Sequence, residues 1–432
     1  MRTGPWPSCD PSIVCTFKIT NIPHELEVDR YLRLGGPTLS SSVEINGVSY
    51  THNLLSVTGE VTPQPIRDGS RYFMLLGEIY DYDRSLPSDL YHVVEMYNRH
   101  GDSFTSHLDG EFLVIVFDGT TIDLFTDTWA TRQAWLDQFD DQFYLGTFPV
   151  REVHGRFDRP DFYGSGSLVR LRPNSHYRFH VGERRLELVS DSLHRWDLTQ
   201  YKTSFTDWNK AFDDAVMKRY HDDQVLCFSG GLDSSCIAAC LSDNNKMIVA
   251  ANLRLKDVED DDTIRSVVDY CGDNMELHTY GRRVDLDVID KLDEVGIGHK
   301  SMAQLSQMIR DDLGCRVVMQ GNGADEIIAS YLSKRLSGPQ KHFWRADLES
   351  MFPYQHFYDG QMRRIIDYKE MVFLLNGQEL RNVFLDRRLT QEWLSISHNV
   401  KNMSVKFPLK AYLLERGIHL PQRIAGGVSQ EG

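Results

Sequence analysis

The distribution of apolar and polar residues divides the chain into two parts of different texture. Before about residue 190, apolar residues occur in short runs rich in strand-forming residues, separated by turns. Pro87 and Ser88-Asp89 lead into an apolar-periodic run and predict the start of a helix. Many short strands with few helices favour a two-sheet sandwich or an α+β layer. The predicted strands are 43–48, 72–76, 112–117, 122–125, 143–145, 168–171 and 186–189.

After about residue 195, predicted strands alternate with helices. Strands are predicted at 225–228, 248–253 and 316–319, and helices at 234–241 and 263–271. A glycine turn follows the first and the third of these strands. This alternation predicts a parallel sheet with crossover helices. The polar stretch 190–206 is the predicted boundary, which gives two domains, 1–195 and 196–432.

Composition and charge narrow the class of protein. The net charge of −15 argues against a nucleic-acid partner held by a basic surface, because phosphate neutralisation by Lys and Arg dominates such binding. No stretch of about 20 apolar residues predicts a membrane span, and no apolar segment near Met1 predicts a secretory signal. Seven cysteines without CxxC spacing suit reduced thiols. A cytoplasmic protein is therefore expected.

The segment between the predicted strand 225–228 and the next helix carries the strongest chemical signal. Its glycines allow the backbone to approach a ligand, and the amides that open the helix form an anion site. The loop has no Gly-Lys-Ser/Thr and so differs from the loop of GTPases and kinases. Asp233 would repel phosphates unless a cation lay between them, and Mg²⁺ is the expected one. The candidate binding residues are Ser229, Gly230, Gly231, Asp233, Ser234 and Ser235.

Four runs in the second part resemble a known family in their order and spacing. The run at 229–235 (SGGLDSS) is typical of ATP pyrophosphatases. The runs at 317–326 (VVMQGNGADE), 377–386 (GQELRNVFLD) and 406–410 (KFPLK) resemble the asparagine synthetase B family. That family also contains β-lactam synthetases and lasso-peptide cyclases. The resemblance implies an adenine-nucleotide α-hydrolase-like domain that splits ATP into AMP and pyrophosphate and activates a carboxylate.

The first part resembles a class II glutamine amidotransferase domain, an α+β fold of two sheets. The runs at 33–37 (RLGGP), 77–80 (GEIY) and 109–112 (DGEF) carry this likeness. The family's nucleophile is a cysteine at the N-terminus, whereas the nearest cysteines here are Cys9 and Cys15.

Two further parts of the glutaminase site are missing from the sequence. The arginine expected to hold the glutamine carboxylate falls on Leu54, and the asparagine of the oxyanion hole falls on Leu76. Neither residue donates a side-chain hydrogen bond, and loss of one oxyanion donor typically costs about 10²–10³ in rate. Asp89, the expected anchor of the substrate amine, is present. The domain is therefore predicted to lack glutaminase activity.

The resemblance implies roles for individual residues of the second part. The loop 229–235 would bind the ATP phosphates, and Asp233 and Asp325 would hold Mg²⁺ against pyrophosphate. Leu253 and Gly321 would contact adenine or ribose. Catalysis in such a site consists mostly of alignment and charge neutralisation.

Two further residues are candidates for the chemical steps. Lys406 would stabilise the pentavalent phosphorus and later the tetrahedral intermediate. Glu379 would orient the amine or accept its proton, or would instead form a structural ion pair with Arg381. Asn322 stands where asparagine synthetases carry glutamate and β-lactam synthetases carry tyrosine, and a neutral amide cannot act as a base.

The sequence thus predicts an ATP-dependent amide ligase that adenylates a carboxylate and transfers it to ammonia or a substrate amine. One alternative is a glutamine-hydrolysing asparagine synthetase matured to an N-terminal cysteine. Another is a non-catalytic nucleotide-binding subunit. The carboxylate, in a small molecule or a peptide, stays open. Oligomeric state also stays open, although family members commonly form homodimers.

Overall fold

The computed structural model describes residues 15–55, 60–150, 164–165, 168–254, 261–281, 300–328, 343–354 and 356–419. Cys9 lies outside these ranges. The strands are β1 Thr16–Thr20, β2 Leu39–Ile45, β3 Val48–Leu54, β4 Ile66–Asp68, β5 Arg71–Ile79, β6 Gly110–Phe117, β7 Thr121–Thr126, β8 Trp135–Phe139, β9 Gln142–Gly146, β10 Gly164–Ser165, β11 Leu168–Arg170, β12 His176–His180, β13 Arg185–Ser190, β14 Gln224–Cys227, β15 Ile248–Leu253, β16 Met275–Tyr280, β17 Val317–Gln320 and β18 Glu379–Asn382.

The helices connect and cover these strands, and none within the described ranges is long and apolar enough to cross a membrane. The α-helices are Asp29–Gly35, Asp89–His100, Thr206–Arg219, Leu232–Asp243, Asp261–Cys271, Lys300–Met308, Ala324–Ile327, Gln361–Leu375, Arg387–Ser395, His398–Lys401 and Phe407–Leu414. Short 3₁₀ segments are Gly101–His107, Gly272–Asn274 and Val383–Leu385, and Ile309–Leu313 is a π-helical turn.

The N-terminal region, which we define as the described residues up to 190, is a sandwich of two antiparallel sheets. One sheet has the order β10-β11-β8-β9-β1-β3-β2, and the other has the order β13-β12-β7-β6-β5-β4. Their inner faces share one apolar cluster, in which the ring of Tyr50 on β3 stacks 3.9 Å from that of Phe117 on β6. The helix Asp89–His100 covers the outer face of the second sheet. The predicted two-sheet sandwich is confirmed.

One predicted strand is wrong in a way that the sequence explains. The run 43–48 is not a single strand, because β2 ends at Ile45 and β3 begins at Val48. Asn46 and Gly47, with φ of 53° and 76°, make the turn between them. Asn-Gly flanked by alternating apolar residues is a strong hairpin signal, since both central positions of a type I′ turn need positive φ.

The C-terminal region, which we define as the described residues from 206 onward, is built on a five-stranded parallel sheet. Its order is β16-β15-β14-β17-β18, and every strand pair in it is parallel. After β14 the chain adds β15 and β16 on one side of that strand. It then crosses to the other side and adds β17 and β18. The carboxyl ends of β14 and β17 therefore flank a topological switch point, where open parallel sheets bind their ligands. The predicted parallel sheet with crossover helices is confirmed.

The two regions meet over an apolar surface. Trp135 and Tyr144 of the first sheet pack in one cluster with Met371 and Leu374 of the helix Gln361–Leu375. The Trp129 indole Nε1 also donates a 2.8 Å hydrogen bond to the Leu385 carbonyl. The burial of large apolar side chains from both regions stabilises this contact.

Buried ion pairs cross the same contact. Arg381, at the carboxyl half of β18, donates to Glu78 of β5 at 2.5 Å and to Glu379 at 2.7 Å. Arg219 donates to Glu111 of β6 and to Asp386, both at 3.0 Å. Because a buried charge is costly unless it is paired and hydrogen-bonded, these residues restrict how the two regions can dock.

A buried histidine of the sandwich makes stability depend on pH. His52 on β3 is fully buried, and its Nε2 lies 3.3 Å from the Leu75 carbonyl oxygen. Burial lowers the pKa of His52 to about 4. In the unfolded chain His52 is therefore protonated below about pH 6.5, whereas in the folded chain it stays neutral down to about pH 4. The stability from this group is present above pH 6.5 and is lost as pH falls towards 4.

We predict that His52→Gln, which does not titrate, reduces the loss of stability on acidification. The difference in the free energy of unfolding between wild type and variant should change by about 2 kcal/mol between pH 7 and pH 5, because a pKa difference of one unit corresponds to about 1.4 kcal/mol. Urea unfolding at the two pH values measures it. His24→Gln, at an exposed position, is the control. Equal acid sensitivity of wild type and His52→Gln would show that His52 is not buried in its neutral form.

Candidate active site

The glycine-rich loop lies between β14 and the helix Leu232–Asp243. Gly230 has φ of 71°, a conformation that side chains disfavour, so the loop can turn sharply there. The Ser229 hydroxyl accepts from the Gly231 amide at 3.2 Å, and the Ser234 hydroxyl donates to the Gly231 carbonyl at 3.3 Å. The loop is thus preshaped around the open amides of a twelve-residue helix. Such amides form a ready-made anion site.

Gly321 brings a second strand end against this helix. It follows β17 directly, and a Cβ at this position would lie 2.8 Å from the Cβ of Asp233 and 3.5 Å from the Ser234 nitrogen. Only glycine allows so close an approach. Leu253, the last residue of β15, is half-buried at the same carboxyl edge of the sheet. Of the two residues predicted to contact adenine or ribose, Gly321 therefore touches the start of the loop's helix, and Leu253 lies at the same edge of the sheet.

Lys406 joins the two predicted metal ligands. Its Nζ lies 2.8 Å from both carboxylate oxygens of Asp233 and 2.7 Å from Oδ1 of Asp325. Lys406 has φ of 52° at the N-cap of the helix Phe407–Leu414, and Pro408 follows in the first turn. Asp325 stands in the first turn of the short helix Ala324–Ile327. Three residues that are far apart in sequence thus meet at one point.

The three charged groups of this trio shift one another's pKa values. Burial lowers the pKa of Lys406, but Asp233 and Asp325 outweigh it, and the net shift is upward. The lysine is therefore a permanent cation at neutral pH. Burial, aided by Asp325, raises the pKa of Asp233, and Lys406 opposes this shift.

The two carboxylates fit a magnesium ion shared with a nucleotide. Both converge on one cationic nitrogen, so they can share a positive charge, and both side chains are part-exposed, at 23% and 34%. Among the described residues no cluster of three or more His, Cys, Asp or Glu could hold a metal. Mg²⁺ is usually bound through one or two carboxylates together with substrate phosphates, and Asp233 and Asp325 are a donor set of this kind.

The sequence analysis did not identify Lys369, which the structure brings to the same edge. It lies on the helix Gln361–Leu375, and its Nζ donates to Oδ1 of Asn322. The side-chain nitrogen of Asn322 donates to Gln320 at 2.7 Å and to Asn382 at 3.0 Å. The available signal was a lysine on the same helix face as Ile366 and Val372, but periodicity alone cannot show where its amine lies.

Glu379 does not join this group. It is the first residue of β18, opposite Val317 at the start of β17, whereas the glycine-rich loop lies at the carboxyl ends of the strands. Its carboxylate accepts a 2.7 Å hydrogen bond from Arg381, and burial raises its pKa while Arg381 opposes this shift. The contact with Arg381 is the one that the second of the two alternatives for this residue predicts.

The residues of the predicted glutaminase site lie in the core of the sandwich. Cys15 directly precedes β1, and Cys15, Leu54 and Leu76 are at most 2% exposed within one apolar cluster. Burial raises the pKa of the Cys15 thiol well above its ordinary value, which disfavours the nucleophilic thiolate. The Asp89 carboxylate accepts from the Ile79 amide at 3.0 Å, and burial raises its pKa to about 7.

A glycine-rich loop, two convergent carboxylates and a cationic lysine thus lie together at the switch point of the parallel sheet, where such sheets bind their ligands. Residues 207–415 match the family model described as asparagine synthase. This part of the chain is therefore an asparagine synthetase-like domain, and the protein is an ATP-dependent carbon–nitrogen ligase by class.

Curated relatives share this likeness over most of the chain. A putative glutamine-hydrolysing asparagine synthetase of Methanocaldococcus jannaschii is 22% identical over 82% of this chain and 70% of its own length. A probable one of Acanthamoeba polyphaga mimivirus is 23% identical over 94% of this chain and 80% of its own. The mouse enzyme is 23% identical over 85% and 73%. Among solved structures, glutamine phosphoribosylpyrophosphate amidotransferase of B. subtilis aligns with a TM-score of 0.31, 11% identity and 71% and 75% coverage, which is too weak to carry an argument.

We predict that Gly321→Ala weakens MgATP binding by about 10–100-fold, because a misplacement of about 1 Å in such a site is costly. The added methyl would overlap Asp233, so the loop and the strand end must separate. Isothermal titration calorimetry measures the affinity. Gly182→Ala is the matched control, since its Cβ would meet no atom within 4 Å. An unchanged affinity in Gly321→Ala, with normal thermal unfolding, would contradict a nucleotide site here.

Proposed function

We propose that the chain adenylates a substrate carboxylate with ATP, releasing pyrophosphate, and transfers the acyl group to ammonia or to a substrate amine. The observation that carries this proposal is the convergence of Lys406, Asp233 and Asp325 beside the glycine-rich loop. A site that only bound nucleotide would not need two carboxylates paired with one buried lysine. Family membership supplies the ATP-dependent ligase class, and the geometry supports the finer chemistry.

Each part of the site has a role in this proposal. The amides of residues 229–235 and the Ser229, Ser234 and Ser235 hydroxyls bind phosphates, with Leu253 and Gly321 beside adenine or ribose. Asp233 and Asp325 hold Mg²⁺, which when bound neutralises the charge of the departing pyrophosphate. Lys406 then turns from the carboxylates to the α-phosphate and stabilises its developing negative charge.

The proposed nitrogen source is ammonia or an amine rather than glutamine. The support is the apolar burial of Cys15, which disfavours its thiolate, together with Leu54 and Leu76, whose side chains donate no hydrogen bond. The competing possibility is maturation to an N-terminal Cys15, which would make a glutamine-hydrolysing enzyme. Residues 1–14 precede it in sequence and lie outside the described part.

We predict magnesium-dependent pyrophosphate release from ATP in the presence of the right carboxylate. A panel of free amino acids, peptides and small acids would be assayed with ammonia, with glutamine and with neither. Asp233→Ala and Lys406→Ala should each lower the rate by about 10²–10³-fold, because each removes charge stabilisation from the reacting phosphates. Asp269→Ala, at an exposed position, is the control.

The outcomes separate the possible functions. Release with ammonia but not with glutamine supports the proposal. Release with glutamine, together with a mass showing cleavage before Cys15, would contradict the proposed nitrogen source. ATP binding without release for every acid would favour a non-catalytic nucleotide-binding subunit.

A further inference from the structure

Asn322 provides no carboxylate that could act as the base in the proposed reaction. Amide formation requires the attacking nitrogen to lose a proton, and a neutral carboxamide cannot accept it. Asn322 is also fully engaged. Both of its side-chain hydrogen bonds as donor go to Gln320 and Asn382, and its oxygen accepts from Lys369. It is thus a fixed part of the site rather than a reactive one.

The direction of this hydrogen-bond chain is set from the N-terminal region. Glu111 of β6 accepts from the side-chain nitrogen of Asn382 at 3.1 Å and from its backbone amide at 3.0 Å. A carboxylate only accepts, so the oxygen of Asn382 must face Asn322. The oxygen of Asn322 must then face Lys369. The amine of Lys369 therefore meets an acceptor at one fixed position.

We propose that Lys369 is the general base of the amide-forming step, a proposal that rests on the function proposed above. An uncharged Lys369 has two hydrogens and one lone pair. One hydrogen bonds to Asn322, and this bond orients the lone pair for an incoming nitrogen. Lys369 comes from a different helix than Lys406, so the site holds one lysine for phosphate and one for the amine.

The charges facing Lys369 permit the uncharged form. Burial lowers its pKa, while Glu326, Cys227, Asp325 and Asp233 act in the opposite direction. The net shift of the Lys369 pKa is downward, because burial outweighs these groups. Burial also raises the pKa of Cys227 to about 12, so this thiol is neutral at pH 7. Asp233 and Asp325 are already paired with Lys406 at 2.7–2.8 Å.

The step balances in atoms and charge. The amine nitrogen forms a bond to the acyl carbon, and the carbonyl π electrons move to oxygen. Lys369 Nζ accepts one proton from that nitrogen. An electron pair on that oxygen then re-forms the carbonyl as the carbon–oxygen bond to AMP breaks, and the electron pair of the broken bond leaves with AMP. The ammonium of Lys369 returns its proton to solvent before the next turnover.

The test separates the two half-reactions in the whole protein. Exchange of labelled pyrophosphate into ATP, with L-aspartate and the acid panel, reports adenylation and needs no amine. Lys369→Met should keep this exchange, whereas amide formation with ammonia should fall by about 10²–10⁴-fold, the usual contribution of a general base. Lys369→Arg should lose as much, because arginine stays protonated. Lys210→Met, an exposed lysine, is the control.

Hydroxylamine distinguishes a base from a merely structural lysine. After hydroxylamine attacks, the nitrogen of the intermediate is far more acidic than it is after ammonia attacks. It therefore loses its proton without a base, and the reaction with hydroxylamine should be nearly insensitive to Lys369→Met. Equal loss with both nucleophiles, or loss of exchange together with amide formation, would overturn the role of Lys369. Absence of exchange in the wild type with every acid would instead overturn the proposed function, and the role of Lys369 with it.

The protonation state of Lys369 can be measured without any substrate. Competitive acetylation with trace acetic anhydride, followed by peptide mass spectrometry, reports the pH at which each lysine becomes nucleophilic. Lys369 in the folded protein should become reactive at a lower pH than the same lysine in an unfolded peptide, once the rates are corrected for accessibility. A titration midpoint equal to that of Lys210 would overturn the proposal.

Discussion

The buried ion pairs between the two regions are the constraint on which the rest of the structure depends. Glu78 and Glu111 project from the antiparallel sandwich, and Arg381 and Arg219 project from the parallel-sheet region to meet them. All four side chains are at most 2% exposed. Removal of one partner from a buried pair typically costs about 3–5 kcal/mol, because the other charge is left uncompensated. The docking of the regions is therefore nearly all-or-none.

The same charges position the candidate site. Arg381 and Asn382 are consecutive residues of β18, and each bonds to a glutamate of the sandwich. The end of β18 is thereby fixed, and the chain from Asn382 to Asn322 and Lys369 is fixed with it. A sandwich without glutaminase chemistry would thus retain a function as part of the ligase site.

Local signals predicted much of the fold and of the site. The apolar runs gave the strands 248–253 and 112–117 because short-range pattern decides strand formation. The glycine-rich loop was recognisable because its seven residues are contiguous. The contact of Lys406 with Asp233 was not visible in the sequence, since 173 residues separate them. The resemblance supplied both residues but not their pairing.

The remaining features depend on tertiary contacts that no local pattern contains. Glu379 lies in the same sequence motif as Arg381. Only the strand direction shows that Glu379 lies at the opposite end of the strands from the glycine-rich loop. Lys369 occupies an apolar helix face, so its amine could have ended in solvent or in the site. The orientation of the Asn322 side-chain amide depends on Glu111, which is 211 residues away in sequence. Such a chain of bonds appears only when both regions are folded together.

Differential scanning calorimetry of the whole protein, with and without MgATP, tests this central claim most directly. If the buried charges make one cooperative unit, the protein unfolds in a single transition. A ligand that binds only the folded state should then raise the temperature of that whole transition. Two separate transitions, of which MgATP shifts only one, would contradict the account, because the sandwich would then be energetically independent of the candidate site.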